Sequence, residues 1–169
     1  MSEDKVTMTE VERSKLDWLK QHLDIYVRSG GVQGHIQDLR DVGAFNFCPT
    51  FLLKTIGRKS GKPRIAPLMY GIIGGEVITA ASKGGADVHP AWYLNIEGKD
   101  EVDFQIGTQA FRGALRFPEG EECEELWQFL AKVFPPYGEY RKIAKRAIPL
   151  LAIRAKHEIP VFTAEDLSA

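Results

Sequence analysis

Three short apolar runs separated by glycine-bearing turns, residues 50–56, 64–73 and 76–81, constrain this chain more than any other feature. The last two are joined by Gly74-Gly75 alone. A two-residue glycine loop selects a tight antiparallel hairpin, because its positions must accept a positive φ. Residues 101–106 and 109–117 repeat the arrangement around Gly107-Thr108. The run VDFQI alternates, which places Val102, Phe104 and Ile106 on one face of a strand. Strands in quick succession, with helical patterns before and after them, make the chain an α+β protein.

Residues 9–29 read as one amphipathic helix. Val11, Trp18, Leu19, His22, Leu23, Tyr26 and Val27 recur at three- and four-residue spacing, Thr9 with Glu12 forms a capping box, and Gly30-Gly31 provides the stop. Its basic residues are balanced by acids, so packing on the protein's own core is favoured over lying on a membrane surface. An irregular, glycine-punctuated connection fills residues 31–48. The strongest later helix is 119–134, with Leu126, Trp127, Leu130 and Val133 as its stripe and an acidic first turn that suits the helix dipole. Pro135-Pro136 breaks it. A second helix from about Tyr137 carries Tyr140, Ile143, Ala144 and Ala147, and a strand at 159–162 closes the chain. AKRAIPLL and AKHEIPVF resemble one another, so the path of residues 141–159 has two solutions. Residues 1–48 are expected to form a helix and connection packed on a sheet domain of residues 49–169, one structural domain in all.

At 169 residues the chain can bury roughly 70% of its unfolded surface. Its 22 Lys and Arg against 23 Asp and Glu give a net charge of −1, which argues against a nucleic-acid binder driven by bulk charge. Cys48 and Cys123 lie far apart and outside any CxxC pattern, as reduced thiols in a cytoplasmic protein do. The beginning MSEDKVTMTE has no signal-sequence pattern, and no apolar run approaches the roughly 20 residues that span a bilayer. The four histidines are scattered without metal-ligand spacing.

Against this neutral background the turn GRKSGKPR is a local concentration of charge: Arg58, Lys59, Lys62 and Arg64 sit in and beside it. It is one residue too short for a P-loop and joins strand to strand, so a nucleoside triphosphate is excluded. A second glycine turn, Ser82-Lys83-Gly84-Gly85, adds a cation and is followed by Trp92-Tyr93. Clustered cations and exposed backbone N–H groups suit a phosphate or polycarboxylate tail, and an aromatic wall suits a flat ring. The plain alternative is a solvated hairpin whose cations keep it soluble.

GRKSGKPR, followed in order by PLMY, ASKGG and HPAWYLN, closely resembles the deazaflavin-dependent nitroreductase family, whose members bind coenzyme F-420 on a split, FMN-binding-like β-barrel. The resemblance covers about residues 50–140. It implies that Arg58, Lys59, Ser60 and Arg64 hold the coenzyme's phosphate and glutamate tail, with Lys62 exposed. Pro67 and Met69 would pack the deazaflavin. Ala80, Ala81, Ser82, Lys83 and Gly84 would form the second contacting segment, and Trp92 would wall the site or fill the core. Asn95 is expected to be a structural hydrogen-bonder. Tyr137 and Tyr140 stand where aromatic residues of the family close over the substrate, and are the catalytic candidates. Family members often carry a tyrosine where Phe134 stands here.

The expected function is therefore hydride transfer from the reduced deazaflavin to an electron-poor small molecule: an enone, quinone or nitroaromatic. No dedicated acid–base constellation is needed, since the cofactor carries the hard step. The alternatives are an FMN-dependent reductase of the same fold and a non-catalytic deazaflavin carrier. A homodimer and peripheral membrane association through the N-terminal helix are compatible with the resemblance.

Overall fold

The computed structural model describes residues 17–167, so the capping box at Thr9 lies outside the described residues. Helix α1 occupies residues 17–28. Eight strands follow: β1 (Ile36–Gln37), β2 (Cys48–Ile56), β3 (Pro63–Met69), β4 (Gly71–Ile73), β5 (Glu76–Ala80), β6 (Glu101–Ile106), β7 (Gln109–Arg116) and β8 (Leu150–Ile159). Helix α2 (Ala91–Ile96) precedes β6, and α3 (Gly120–Val133) and α4 (Pro136–Ile143) lie between β7 and β8.

All the pairings are antiparallel and run β1-β2-β6-β7-β8-β5-β4. β3 pairs back onto β2 from Ile56↔Pro63 to Thr50↔Met69. Only Tyr70 separates β3 from β4, so one bent strand leaves β2, joins β5 and closes the sheet into the split barrel. The bend brings Gly71 under α3, where a Cβ would lie 2.7 Å from the Phe129 ring. Both expected hairpins are present, with Ile73↔Glu76 across Gly74-Gly75 and Ile106↔Gln109 across Gly107-Thr108.

Two apolar clusters share the wall between them. Phe51, Leu53, Tyr70, Tyr93, Phe104, Leu151 and Ile153 form one. Leu126, Trp127, Leu130, Phe134, Tyr137, Leu150 and Ala152 form the other, under α3 and α4. β8 contributes to both, which corrects one expectation. The closing strand is not 159–162 but Leu150–Ile159. The first half of β8, LLAI, is buried on both faces and so shows no alternation, and IPVF lies beyond the strand. α4 likewise stops at Ile143 rather than reaching Ala147, and the six-residue α2 was not anticipated.

α1 packs through His22, Tyr26 and Val27, while Trp18, Leu19 and Ile25 remain about half exposed. The Tyr26 hydroxyl donates to the Thr50 carbonyl (2.8 Å) and accepts from the Gly107 N–H (3.0 Å), tying α1 to β2 and to the β6–β7 turn. His22 Nε2 bonds the Gly34 carbonyl at 2.8 Å. Burial pulls the His22 pKa below its ordinary 6.5, against a smaller upward pull from that bond. The folded protein therefore keeps His22 neutral where the unfolded chain takes up a proton. Its stabilising contribution is complete above pH 6.5 and is lost as pH falls below that value toward the lowered folded pKa. The urea midpoint should drop between about pH 7 and about pH 5.5, before the carboxylates titrate, and drop less in His22→Gln. An identical pH dependence in the variant would remove His22 from the effect.

Candidate functional site

The basic turn is pinned from beneath. Gly57 N–H donates to the Lys62 carbonyl (2.8 Å) and Gly61 N–H to the Gly57 carbonyl (2.8 Å). Arg58 N–H donates to Asn95 Oδ1 (3.1 Å), and Asn95 Nδ2 donates to Thr55 Oγ1 (3.0 Å). Asn95 lies on α2 and is 7% exposed, so this polar side chain is buried with its partners satisfied, in the structural role expected of it. The turn's cations, Arg58, Lys59, Lys62 and Arg64, are all exposed, and Arg58 Nη1 also donates to Asn95 Oδ1 (3.3 Å). Among the described residues none of the four, nor Lys83, forms an ion pair. Arg28, Arg112, Arg116 and Arg141, by contrast, each hold a carboxylate. A cluster of cations on a fixed turn, bonded to neutral oxygens at most (Arg58 to Asn95, Arg64 to the Pro63 carbonyl), is ready to take an anion.

The second turn is strained and held from one side. Lys83 has φ +49°, and Gly84 and Gly85 follow at +63° and +83°. Arg146 Nη2 donates to the carbonyls of Ala81 (3.1 Å) and Ser82 (3.0 Å), and its Nε donates to that of Ala86 (3.0 Å). A Cβ on Gly85 would lie 2.7 Å from Ile143 Cδ1 and 3.2 Å from Tyr140 Cα, so α4 rests directly on this turn. Residues 86–90 lead from it straight into α2, whose far end carries Asn95. The two turns thus flank one short helix of about 9 Å length.

Between them the structure gathers some of the sequence-derived candidates and separates others. Met69, Ala80, Tyr137 and Tyr140 share one apolar cluster. Leu68, Ala81 and Trp92 share the other, and Trp92 is half-buried, edge-on to Tyr93 at 6.5 Å. Pro67 is half-buried on β3. Tyr137 is 2% exposed, and its hydroxyl donates to the Met69 carbonyl (3.0 Å) and lies 3.4 Å from Thr79 Oγ1. Burial pushes its pKa up to about 12, against a smaller lowering by Thr79. Tyr140 is only half-buried and stacks edge-to-face on Tyr137 at 6.4 Å, and its hydroxyl makes no hydrogen bond among the described residues. Burial raises its pKa as well, so the phenol stays protonated at neutral pH. A shallow hollow along α3, lined by Gly120, Glu121, Cys123, Glu124, Glu125 and Gln128, shares no residue with this site.

Comparison with known proteins names the chemistry. The family model for F420H(2)-dependent quinone reductases matches residues 18–154. The chain belongs to that family. An F420H(2)-dependent quinone reductase of Mycobacterium tuberculosis is 30% identical over 138 residues, covering 80% of this chain and 88% of that protein. A solved F420-H2 dependent reductase superposes with a TM-score of 0.57 at 38% identity, over 63% of this chain and 94% of its own. A second solved chain, described as a domain-swapped dimer, gives a TM-score of 0.60 at 33% identity over 83% and 99%. The haem storage protein HutZ of Vibrio cholerae (13% identity, TM-score 0.50, covering 69% of this chain and 89% of that chain) shares the fold alone.

Membership makes the protein an oxidoreductase that uses coenzyme F-420, and the alternative with FMN is not favoured. The residues present fit that group. The unpaired cations match a tail carrying several negative charges better than a single phosphate, and the glycine turn offers backbone N–H groups without side chains in the way. Among the described residues no helix is long and apolar enough to cross a membrane, and no group of three His, Cys, Asp or Glu could hold a metal ion.

Proposed function

We propose that this reductase passes a hydride to a quinone, held between the Ser82–Gly84 turn and Tyr140. What carries the proposal is the direct seating of α4 on the second turn. Through it Tyr140, a protonated phenol with an uncommitted hydroxyl, adjoins the segment expected to meet the deazaflavin. When bound, the reduced cofactor supplies the hydride. The chain's own residues do the rest. Arg58, Lys59, Ser60 and Arg64 hold the anionic tail, and Pro67, Met69, Ala80, Ala81, Ser82, Lys83, Gly84 and Trp92 bound the ring. The Tyr140 hydroxyl donates to the quinone oxygen on which negative charge develops, and one proton taken up there completes the hydroquinone. Tyr137 keeps its hydroxyl on the Met69 carbonyl and so fixes the β3 backbone and the Tyr140 ring, acting through position rather than proton transfer.

Tyr140→Phe keeps the ring and removes only the hydroxyl. Quinone-dependent oxidation of the reduced coenzyme should fall about 10-fold, about 1.4 kcal/mol of barrier, with coenzyme affinity unchanged. Turnover equal to the parent's would take Tyr140 out of the chemistry.

The solved domain-swapped dimer, together with Val32 and Phe47 exposed at 75% and 77% on the segment between α1 and β2, supports a homodimer. Trp18, Leu19 and Ile25 are the α1 residues through which this helix would meet a membrane surface.

A further inference from the structure

We infer that Arg146, outside the four blocks that carry the family resemblance, is a positioning residue for the cofactor, acting through the Ser82–Gly84 backbone; the inference rests on the reading proposed above. A guanidinium is a planar fork of five donors with no acceptor. Arg146 commits that fork to one short segment: the carbonyls of Ala81, Ser82 and Ala86, and His89 Nδ1 at 2.9 Å. The neighbouring Lys145 N–H donates to Asp87 Oδ1 (2.9 Å), so the segment between α4 and β8 that carries Arg146 is itself fixed to the same loop.

The consequence lies on the opposite side of the turn. No peptide bond here is cis, and in a planar trans peptide the N–H points away from the C=O. With the Ala81 and Ser82 carbonyls drawn toward Arg146, the N–H groups of Ser82 and Lys83 are turned away from it. Neither of these, nor the N–H of Gly84, has a hydrogen-bond acceptor among the described residues. Ser82 is right-handed (φ −84°, ψ −37°) and Lys83 and Gly84 have positive φ. Successive residues of opposite hand make consecutive N–H groups converge into a concave nest for an electron-rich atom. A lysine at positive φ is unfavourable by itself, and such a residue persists only where its surroundings over-determine it. Arg146 supplies that over-determination from the carbonyl side.

His89 is drawn into the same device. Because arginine can only donate, Nδ1 must accept, which leaves the proton of the neutral ring on Nε2. The ring then packs on Tyr93 of α2 at 4.8 Å between centroids. One side chain therefore sets the shape of the turn and links it to the helix that carries the basic loop's anchor, Asn95. Lysine cannot replace it, since a single ammonium lacks the fork that spans these acceptors.

The test compares Arg146→Gln and Arg146→Lys with Arg154→Gln, whose guanidinium also bonds a turn carbonyl (Gly74, 2.9 Å) but away from the site. Coenzyme F-420 affinity is read by fluorescence quenching, and thermal unfolding is read without cofactor. Arg146→Gln should bind about 10-fold more weakly and Arg146→Lys should recover little, while Arg154→Gln binds as the parent does. Millimolar methylguanidinium should restore part of the affinity lost in Arg146→Gln, a rescue that general destabilisation would not show. Should Arg146→Gln not fold, Arg146→Lys carries the comparison. Parent-like affinity in the Arg146 variants, or an equal loss in Arg154→Gln, overturns the inference. A parent that binds no coenzyme F-420 overturns instead the reading beneath it.

Discussion

Gly31→Ala should destabilise the protein by about 3 kcal/mol, the sum of a left-handed backbone imposed on an L-residue and an overpacked contact. Gly31 has φ +86°, and a Cβ there would overlap the Gly107 carbonyl group. This is backbone against backbone, where no side-chain rotamer can yield. The contact joins the end of α1 to the β6–β7 turn, at the place where Tyr26 receives the Gly107 N–H and Gln105 Nε2 donates to the Gly107 carbonyl (2.9 Å). Gly30 provides the comparison. Its φ of +63° makes an alanine there equally unwelcome to the backbone, but nothing lies within 4 Å of the added carbon. Gly30→Ala should therefore cost only the conformational part, about 1 kcal/mol. Urea unfolding of the two variants separates the terms. Equal midpoints would mean that the close approach of α1 to the barrel does not contribute as the geometry requires.

Removing two cations from the basic turn, in Arg58→Gln/Lys59→Gln, should weaken coenzyme F-420 binding about 100-fold, on the basis of about 1.4 kcal/mol for each charge-assisted hydrogen bond. Both side chains are exposed and without carboxylate partners, and Asn95 Oδ1 keeps the Arg58 backbone N–H when the longer guanidinium bond (3.3 Å) is lost, so stability should hardly move. The deficit should shrink as salt rises, because contacts made by exposed charges are screened over about 10 Å at 0.1 M ionic strength. Arg112→Gln, which removes a cation held by Asp103 on another part of the sheet, should leave binding unchanged. A double variant that binds normally at low salt would return the turn to a solvated hairpin.

Local chemistry was legible in the sequence. Gly74-Gly75 and Gly107-Thr108 specify their hairpins without help from the rest of the chain, and the stripe of α3 is set by 3.6-residue spacing alone. What misled was context. IPLL and IPVF carry the same local signal, and only the demands of a strand packed on both faces select the first, since Leu150 and Ala152 fill one cluster as Leu151 and Ile153 fill the other. α2 is too short for its periodicity to stand out, and its aromatic residues read as a wall rather than a helix. The candidate site divides in the same way. Its glycine turns and cations form contiguous motifs. Arg146 bonds carbonyls 60 to 65 residues away in the chain, a relation no spacing rule reports. The difference between the two tyrosines was equally hidden: three residues apart on one helix, Tyr137 is committed to the Met69 carbonyl while Tyr140 is not.

The central claim is that this chain moves a hydride from reduced coenzyme F-420 to a quinone. The direct measurement mixes the purified protein with the reduced coenzyme and a soluble naphthoquinone, and follows recovery of the oxidised coenzyme's absorbance. Oxidation should be proportional to protein concentration, saturate with quinone, and be absent when reduced FMN replaces the deazaflavin. Tight binding of coenzyme F-420 with no quinone-dependent oxidation, or equal turnover with reduced FMN, would contradict the claim.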